Sequence, residues 1–316
     1  MDRRRLRQGG ARPALAAVLV AALAAVLAAG CSRPPRPDIL LISLDTLRAD
    51  SLGSYGYRHD TTPFLDEMAA RGVRFDNAFV NTLPTTPSHA TLLSSQYQES
   101  HGVLWDGKDD PTSVEPVPAS VKMLQEVMSA AGYRTLAVTD GGNFGERQGF
   151  SRGWDEFLGK RAKGIVTGGE TLLKLLDRYL PSEEPLLVLF HTYEIHAPYD
   201  PPAEYRELFG ELPASDFRPN AENLRAVIDT ATRDLSEDDL AKSRMLYDAG
   251  IRFTDDRLRR LFDGLAERGL FDGEYLVIIT SDHGEEFGER GGVSHRGLLY
   301  DEFIRVPLIA FGSAVP

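Results

Sequence analysis

Five short runs of uninterrupted apolar residues constrain this chain more than any other feature: DILLIS (38–43), RTLAVT (134–139), PLLVLF (185–190), YLVIIT (275–280) and VPLIAF (306–311). A strand with one wet face alternates apolar and polar residues, whereas a strand covered on both faces reads as a continuous apolar run. Helical patterns fill the space between the runs. TTPFLDEMAARG places Thr62 at a cap, Pro63 in the first turn and Gly72 at the stop, and ASVKMLQEVMSAAG ends on Gly132 in the same way. The stretch from Ser236 to Gly269 opens with a serine ahead of acidic residues, as a helix start should. Strands alternating with helices predict an α/β fold, a doubly wound, mainly parallel central sheet flanked by helices. The length of 316 residues, 42% of them hydrophobic, suits one large α/β domain or two small ones.

Four of the five runs exit into acid or histidine: Leu44-Asp45, Asp140-Gly141-Gly142, His191 followed by Glu194 and His196, and Ser281-Asp282-His283-Gly284. Ligands of open α/β sheets bind at the carboxyl ends of the strands, so four such exits on one edge point to chemistry. Asp45, Asp282 and His283, with one more oxygen, would hold a divalent metal. Carboxylates alone suit Mg or Ca, and an imidazole moves the preference toward Mn or Zn. The competing reading of SDHG is a polar turn with a capping aspartate. A metal there would lower the pKa of a coordinated alcohol, which a threonine nucleophile needs. Thr85 fits that role if PSHATLLSS is a helix beginning at Pro87, whose N-terminus adds free N–H groups and partial positive charge. Taken alone, TTPSH is equally a capped helix start.

PDILLISLDTLRADSLGSYGY, TTPSHATLLSS, HTYEIHAPYDPP, SDHGEEFGERGG and SHRGLLYDEFIRVPLIA occur in the order and spacing of the sulfatase family. The chain from about Pro37 onward therefore resembles that family, part of the wider alkaline-phosphatase superfamily. The resemblance implies a metal held by Asp45, Asp282 and His283, with Thr85 as the nucleophile touching the same ion. It implies that His89, His191, His196 and His295 lie near the substrate's oxyanion or leaving group, with His196 or His295 protonating the leaving oxygen. Asp140 and Arg48 are further candidate substrate contacts, Arg48 alternatively pairing with a structural acid. Glu194, His196 and His295 would hold a second metal, the alternative being one metal with these groups serving the substrate. The expected cofactor is one divalent ion (Mn, Zn or Ca), or two.

The departures from the family carry information too. Its members place a cysteine or serine, oxidised to formylglycine, where this chain has Thr85, and the only cysteine here is Cys31. No formylglycine is expected, and direct attack by threonine is the pattern of the phosphodiesterase and phosphotransferase relatives. The expected function is metal-dependent cleavage of a phosphodiester, phosphonate ester or sulfate ester through a covalent Thr85 intermediate. Transfer to an acceptor other than water, and a surface binding protein without turnover, are the alternatives. Family members commonly continue past the last core strand into a C-terminal subdomain, so the resemblance implies that the catalytic domain (38–316) is incomplete.

The N-terminus is a different kind of sequence. MDRRRLRQGGAR is basic, PALAAVLVAALAAVLAAG is apolar, and LAAGC resembles a bacterial lipoprotein signal, with residues 1–30 cleaved and Cys31 lipidated. A single transmembrane anchor is the other reading, for which the apolar run is short. Residues 31–37 then form a proline-rich tether, and the protein is expected to be exported and anchored in the periplasm or at the outer membrane through its lipid. One cysteine permits no intrachain disulfide. Removing residues 1–30, with five Arg and one Asp, takes the formal charge from -12 to -16. So acidic a chain is not expected to bind nucleic acid, which needs clustered Lys and Arg. The expected partner is a small-molecule, glycan or lipid ester.

Overall fold

The computed structural model describes residues 36–104, 115–159, 164–220, 222–224, 234–295 and 299–315. The expected signal segment, Cys31 and all of the tether before Arg36 lie outside the described residues. Among the described residues no helix is long and apolar enough to cross a membrane.

Among the described residues eleven strands occur in chain order: β1 (Asp38–Leu44), β2 (Val73–Arg74), β3 (Ala78–Phe79), β4 (Arg134–Val138), β5 (Glu156–Leu158), β6 (Leu186–Thr192), β7 (Tyr275–Thr280), β8 (Glu286–Phe287), β9 (Val293–Ser294), β10 (Arg305–Val306) and β11 (Leu308–Phe311). Seven form one sheet in the order β2-β11-β7-β1-β6-β4-β5, and β10–β3 and β8–β9 are small separate pairs. The strands β7, β1, β6, β4 and β5 run parallel to one another. The longer helices are α1 (Pro63–Arg71), α2 (Thr85–Ser94), α3 (Leu124–Ala130), α4 (Gly164–Leu176) and α5 (Glu237–Glu267).

The apolar runs are buried because the sheet is covered twice. Leu40, Ile42, Leu136, Val138, Val188 and Phe190 point into a core shared with α1, α4 and α5. Their neighbours Leu41, Ala137 and Leu189 point the other way, into a second core with Ala90 and Leu93 of α2 and with Phe144 and Phe150. The period-2 alternation of a strand, with both faces dry, gives the unbroken apolar sequence.

Three details differ from the sequence expectations. The last run does not form a parallel strand. Pro307, which has no N–H to donate, separates β10 from β11, and β11 pairs antiparallel with β7. Among the described residues the segment between β7 and β11 holds no helix longer than four residues, so no crossover helix returns the chain to the parallel direction. Helix α2 begins at Thr85 and not at Pro87, so Pro87 falls inside the first turn, where its missing N–H costs nothing. At α1 the Thr62 side chain makes no cap; Asp255 of α5 accepts the N–H groups of Phe64 (2.8 Å) and Leu65 (2.9 Å) instead. Ser236 does cap α5, in a reciprocal capping box with Asp239.

Candidate active site

The three central strands end side by side. The register pairs Ser43 of β1 with Thr280 of β7 on one side and with His191 of β6 on the other. Two residues further along β1 and β7 stand Asp45 and Asp282, which therefore meet at the sheet edge. Thr46 adopts φ 60°, a left-handed conformation that a β-branched residue rarely takes. That turn aims its N–H at Asp282 Oδ1 (3.2 Å), which also accepts the His283 N–H (3.0 Å). Strain of this kind costs about 1–3 kcal/mol and persists where the surroundings fix it.

Asp45, Asp282 and His283 are buried, and their ligand atoms all lie within 4.8 Å of one another. Asp45 Oδ1, Asp282 Oδ2 and His283 Nε2 have no hydrogen-bond partner among the described residues, and the last two stand 3.5 Å apart. His283 Nδ1 hydrogen-bonds to the Gly284 carbonyl (3.0 Å), an acceptor only, so Nδ1 carries the proton and Nε2 keeps its lone pair. Three buried, unpaired acceptors in one small space are costly without a cation. Two carboxylates and one neutral imidazole are a donor set that fits a divalent metal. Burial and the Asp282 charge push the Asp45 carboxyl well up. Burial acts on Asp282 in the same sense, but the surrounding His283, His89 and His191 outweigh it and hold that carboxyl low. Burial pushes the imidazoles of His89, His191, His196 and His283 down, which favours their neutral forms.

Thr85 opens α2 over this cluster, its hydroxyl donating to Asp45 Oδ2 at 3.4 Å. The same carboxylate oxygen lies 3.3 Å from His191 Nε2. Ser88 fixes the helix from the next turn by donating to the Asp282 carbonyl (2.6 Å). Thr85, Asp45, Asp282, His283 and His191 are thus brought together.

Other sequence-predicted residues are placed differently. His89 is buried with both ring nitrogens engaged, Nδ1 with the Thr85 carbonyl and Nε2 with Ser43 Oγ (2.9 Å each), and it stacks on Phe144. That packing anchors α2 to β1 and leaves His89 Nδ1 3.7 Å from Asp282 Oδ2. Arg48 pairs with Asp50 and Glu289 and donates to the Glu285 carbonyl, the alternative that its sequence context had left open. Asp140 accepts from Thr192 Oγ1 (2.9 Å), Tyr193 N (2.8 Å) and Gly164 N (3.2 Å), so its oxygens clamp two loops and the start of α4. Glu194 accepts the Ile165 N–H at 2.9 Å, also at the start of α4. It is not gathered with His196 and His295 into a second ligand group, as only the Asp45 set forms one among the described residues.

His295 and His196 do stand beside the cluster. The His295 ring is 4.4 Å from that of His283 and 5.1 Å from that of His196, centroid to centroid. Two residues escaped notice in the sequence. Glu285, fully buried, pairs with His295 Nδ1 at 2.7 Å and accepts from the Tyr199 hydroxyl. Tyr193 lies edge-on to His191, 4.7 Å between centroids. Both follow a noted exit by two or three residues, and counting along the exits to that distance would have found them.

Fold and site together define an alkaline-phosphatase-like α/β architecture with a donor set that could hold a cation at its strand exits. Residues 37–316 match the Sulfatase family, and the chain belongs to that family. Bovine arylsulfatase A is 42% identical over 113 residues, 36% of this chain and 22% of that protein. The uncharacterized sulfatase YidJ of Escherichia coli K12 is 24% identical over 319 residues, 87% of this chain and 62% of that one. The chain thus spans between 22% and 62% of the length of these two curated relatives. Among solved structures, the phosphonate monoester hydrolase of Agrobacterium radiobacter shares the fold with a TM-score of 0.64 at 21% identity, covering 87% of this chain and 68% of that one.

Proposed function

We propose that this protein is a metal-dependent hydrolase that cleaves a phosphodiester, phosphonate ester or sulfate ester through a covalent Thr85 intermediate. The observation that carries the reading is the Thr85 hydroxyl, 3.4 Å from Asp45 Oδ2 above three unpaired buried acceptors at the first turn of a helix. A divalent cation held by Asp45, Asp282 and His283 would supply acidity to the Thr85 alcohol and offset charge on the ester's oxygens. The chain's own groups do the rest. The free N–H groups of the α2 first turn receive the non-bridging oxygens of the ester, and His295 or His196 gives a proton to the leaving oxygen.

A threonine where relatives of the formylglycine type carry cysteine favours direct attack by the alcohol. The likeness to a phosphonate monoester hydrolase agrees with a phosphorus ester as substrate, while the family match supports sulfate as the second reading. The apolar segment ahead of Cys31 supports export with a lipid anchor. The test is a panel of aryl sulfate, phosphate monoester, phosphodiester and phosphonate ester, offered to purified protein loaded with Mn, Zn or Ca. Cleavage of a diester or phosphonate ester faster than the sulfate, abolished by chelator, is expected. No cleavage of any ester by any metal form would overturn the hydrolase reading, and fastest cleavage of the sulfate would reverse the preference.

A further inference from the structure

Glu285 is fully buried just past Gly284, yet it is no member of the donor set that Asp45, Asp282 and His283 form. The hairpin of β8 and β9 decides what it faces. Glu286 pairs with Ser294 in the antiparallel register, so the residues just outside that pair, Glu285 and His295, stand across from each other. Ser294 takes φ 74°, a left-handed conformation that a serine rarely adopts, immediately before the histidine. Glu285 Oε1 meets His295 Nδ1 at 2.7 Å and accepts from Ser294 Oγ at 3.4 Å, and Oε2 accepts the Tyr199 hydroxyl. The Glu285 carbonyl takes an N–H of Arg48 at 2.8 Å. Tyr199 is itself packed against Tyr247 and Phe287, 5.9 and 5.7 Å between ring centroids. Backbone and carboxylate of Glu285 are thus both braced where His295 meets them. His196, the other histidine beside the cluster, has Nδ1 against the carbonyl of its own neighbour Ala197, a contact that moves with its loop.

We propose that Glu285 is a positioning residue: by holding Nδ1 of His295 it turns that ring, in preference to His196, toward the leaving oxygen of the ester. The proposal rests on the hydrolase reading above. In the first half-reaction Thr85 Oγ, as its alkoxide, forms a bond to phosphorus or sulfur. The bond to the leaving oxygen breaks with its electron pair on that oxygen, which takes a proton from His295 Nε2. The Nδ1 proton stays on the ring, against Glu285. In the second half-reaction a water oxygen attacks the same centre and a proton of that water returns to Nε2. The bond to Thr85 Oγ then breaks with its electron pair on Oγ. An imidazole turned out of line misses the transfer, and the loss is greatest where the leaving alcohol is most basic.

Glu285→Met fills a similar buried space without an acceptor, and Glu285→Gln keeps one. Both are assayed with His295→Ala and His196→Ala on a series of aryl esters of the parent's preferred type, whose leaving phenols run from acidic to basic. The readout is kcat/KM, which reports the half-reaction that expels the phenol, with bound metal and melting temperature measured alongside. Glu285→Met is expected to lose about 10-fold or more on the ester of the most basic phenol and little on that of the most acidic. His295→Ala repeats that dependence, and the double variant is no slower than His295→Ala alone. Glu285→Gln recovers most of the loss, and metal content and melting temperature stay at the parent's values. An equal loss on every ester, a loss that follows metal or stability, losses that multiply in the double variant, or Glu285→Gln no better than Glu285→Met overturns the proposal. If Glu285→Met does not fold, the histidines decide: dependence on the leaving phenol altered in His295→Ala alone supports the proposal, and altered in His196→Ala alone overturns it. A parent that cleaves no ester defeats the hydrolase reading and this proposal with it. A parent that cleaves esters, beside an equal loss on every ester in Glu285→Met, defeats this proposal alone.

Discussion

Asp45 Oδ1, Asp282 Oδ2 and His283 Nε2 are the atoms that point to a cation, because all three are buried and none has a hydrogen-bond partner among the described residues. Gly284, next in the chain, shows how closely the turn is fitted. A Cβ there would overlap the Glu302 carbonyl oxygen and press on the Arg48 side chain. His283 Nε2 is the one nitrogen donor of the set, so His283→Ala leaves two carboxylates whose mutual repulsion is uncompensated. The expected outcome is loss of bound metal on elemental analysis and a fall in kcat/KM of about 100-fold or more. Metal content and activity both equal to the parent would remove His283 from the site. These residues were legible in the sequence because a strand exit delivers its side chains to a predictable edge. What residue type at an exit does not give is side-chain direction, and the contacts of His89, Asp140 and Glu194 depend on it. A carboxylate there turns into the cleft or caps the next helix, and Asp140 and Glu194 both do the latter at α4.

At the scale of elements, the long apolar strands and the helices with their stops were readable, while the two-residue β2 and three-residue β5 were too short to leave a pattern. The reversed direction of β11 was not readable either, since an apolar run carries no sign of which way it runs. The junction of α1 with α5 gives a prediction at this scale. Burial pushes the Asp255 carboxyl up to about 7, even though it accepts two N–H groups of α1. In the unfolded chain it titrates near 4. Between those values the folded protein binds the extra proton, so rising pH removes stability across about pH 4 to 7, with no further loss from this group above. Asp255→Asn cannot ionise, so its stability relative to the parent improves through that window, by about 1.4 kcal/mol per unit of pKa difference at most. Urea unfolding of both proteins at a series of pH values measures this. A stability difference independent of pH would show that Asp255 is not shifted upward.

For the whole molecule, the sheet order puts the carboxyl ends of β7, β1 and β6 next to one another, and the site is what those three ends carry. Thr85 arrives from α2, which is pinned to the sheet by His89 and Ser88. Membership of the Sulfatase family is consistent with the fold, and the proposed Thr85 nucleophile would distinguish the chemistry within it. The most direct measurement of that claim is turnover and bound metal in Thr85→Ala, compared with the parent on the best substrate of the ester panel. Turnover abolished with metal content retained is the predicted result; turnover retained would contradict Thr85 as the nucleophile.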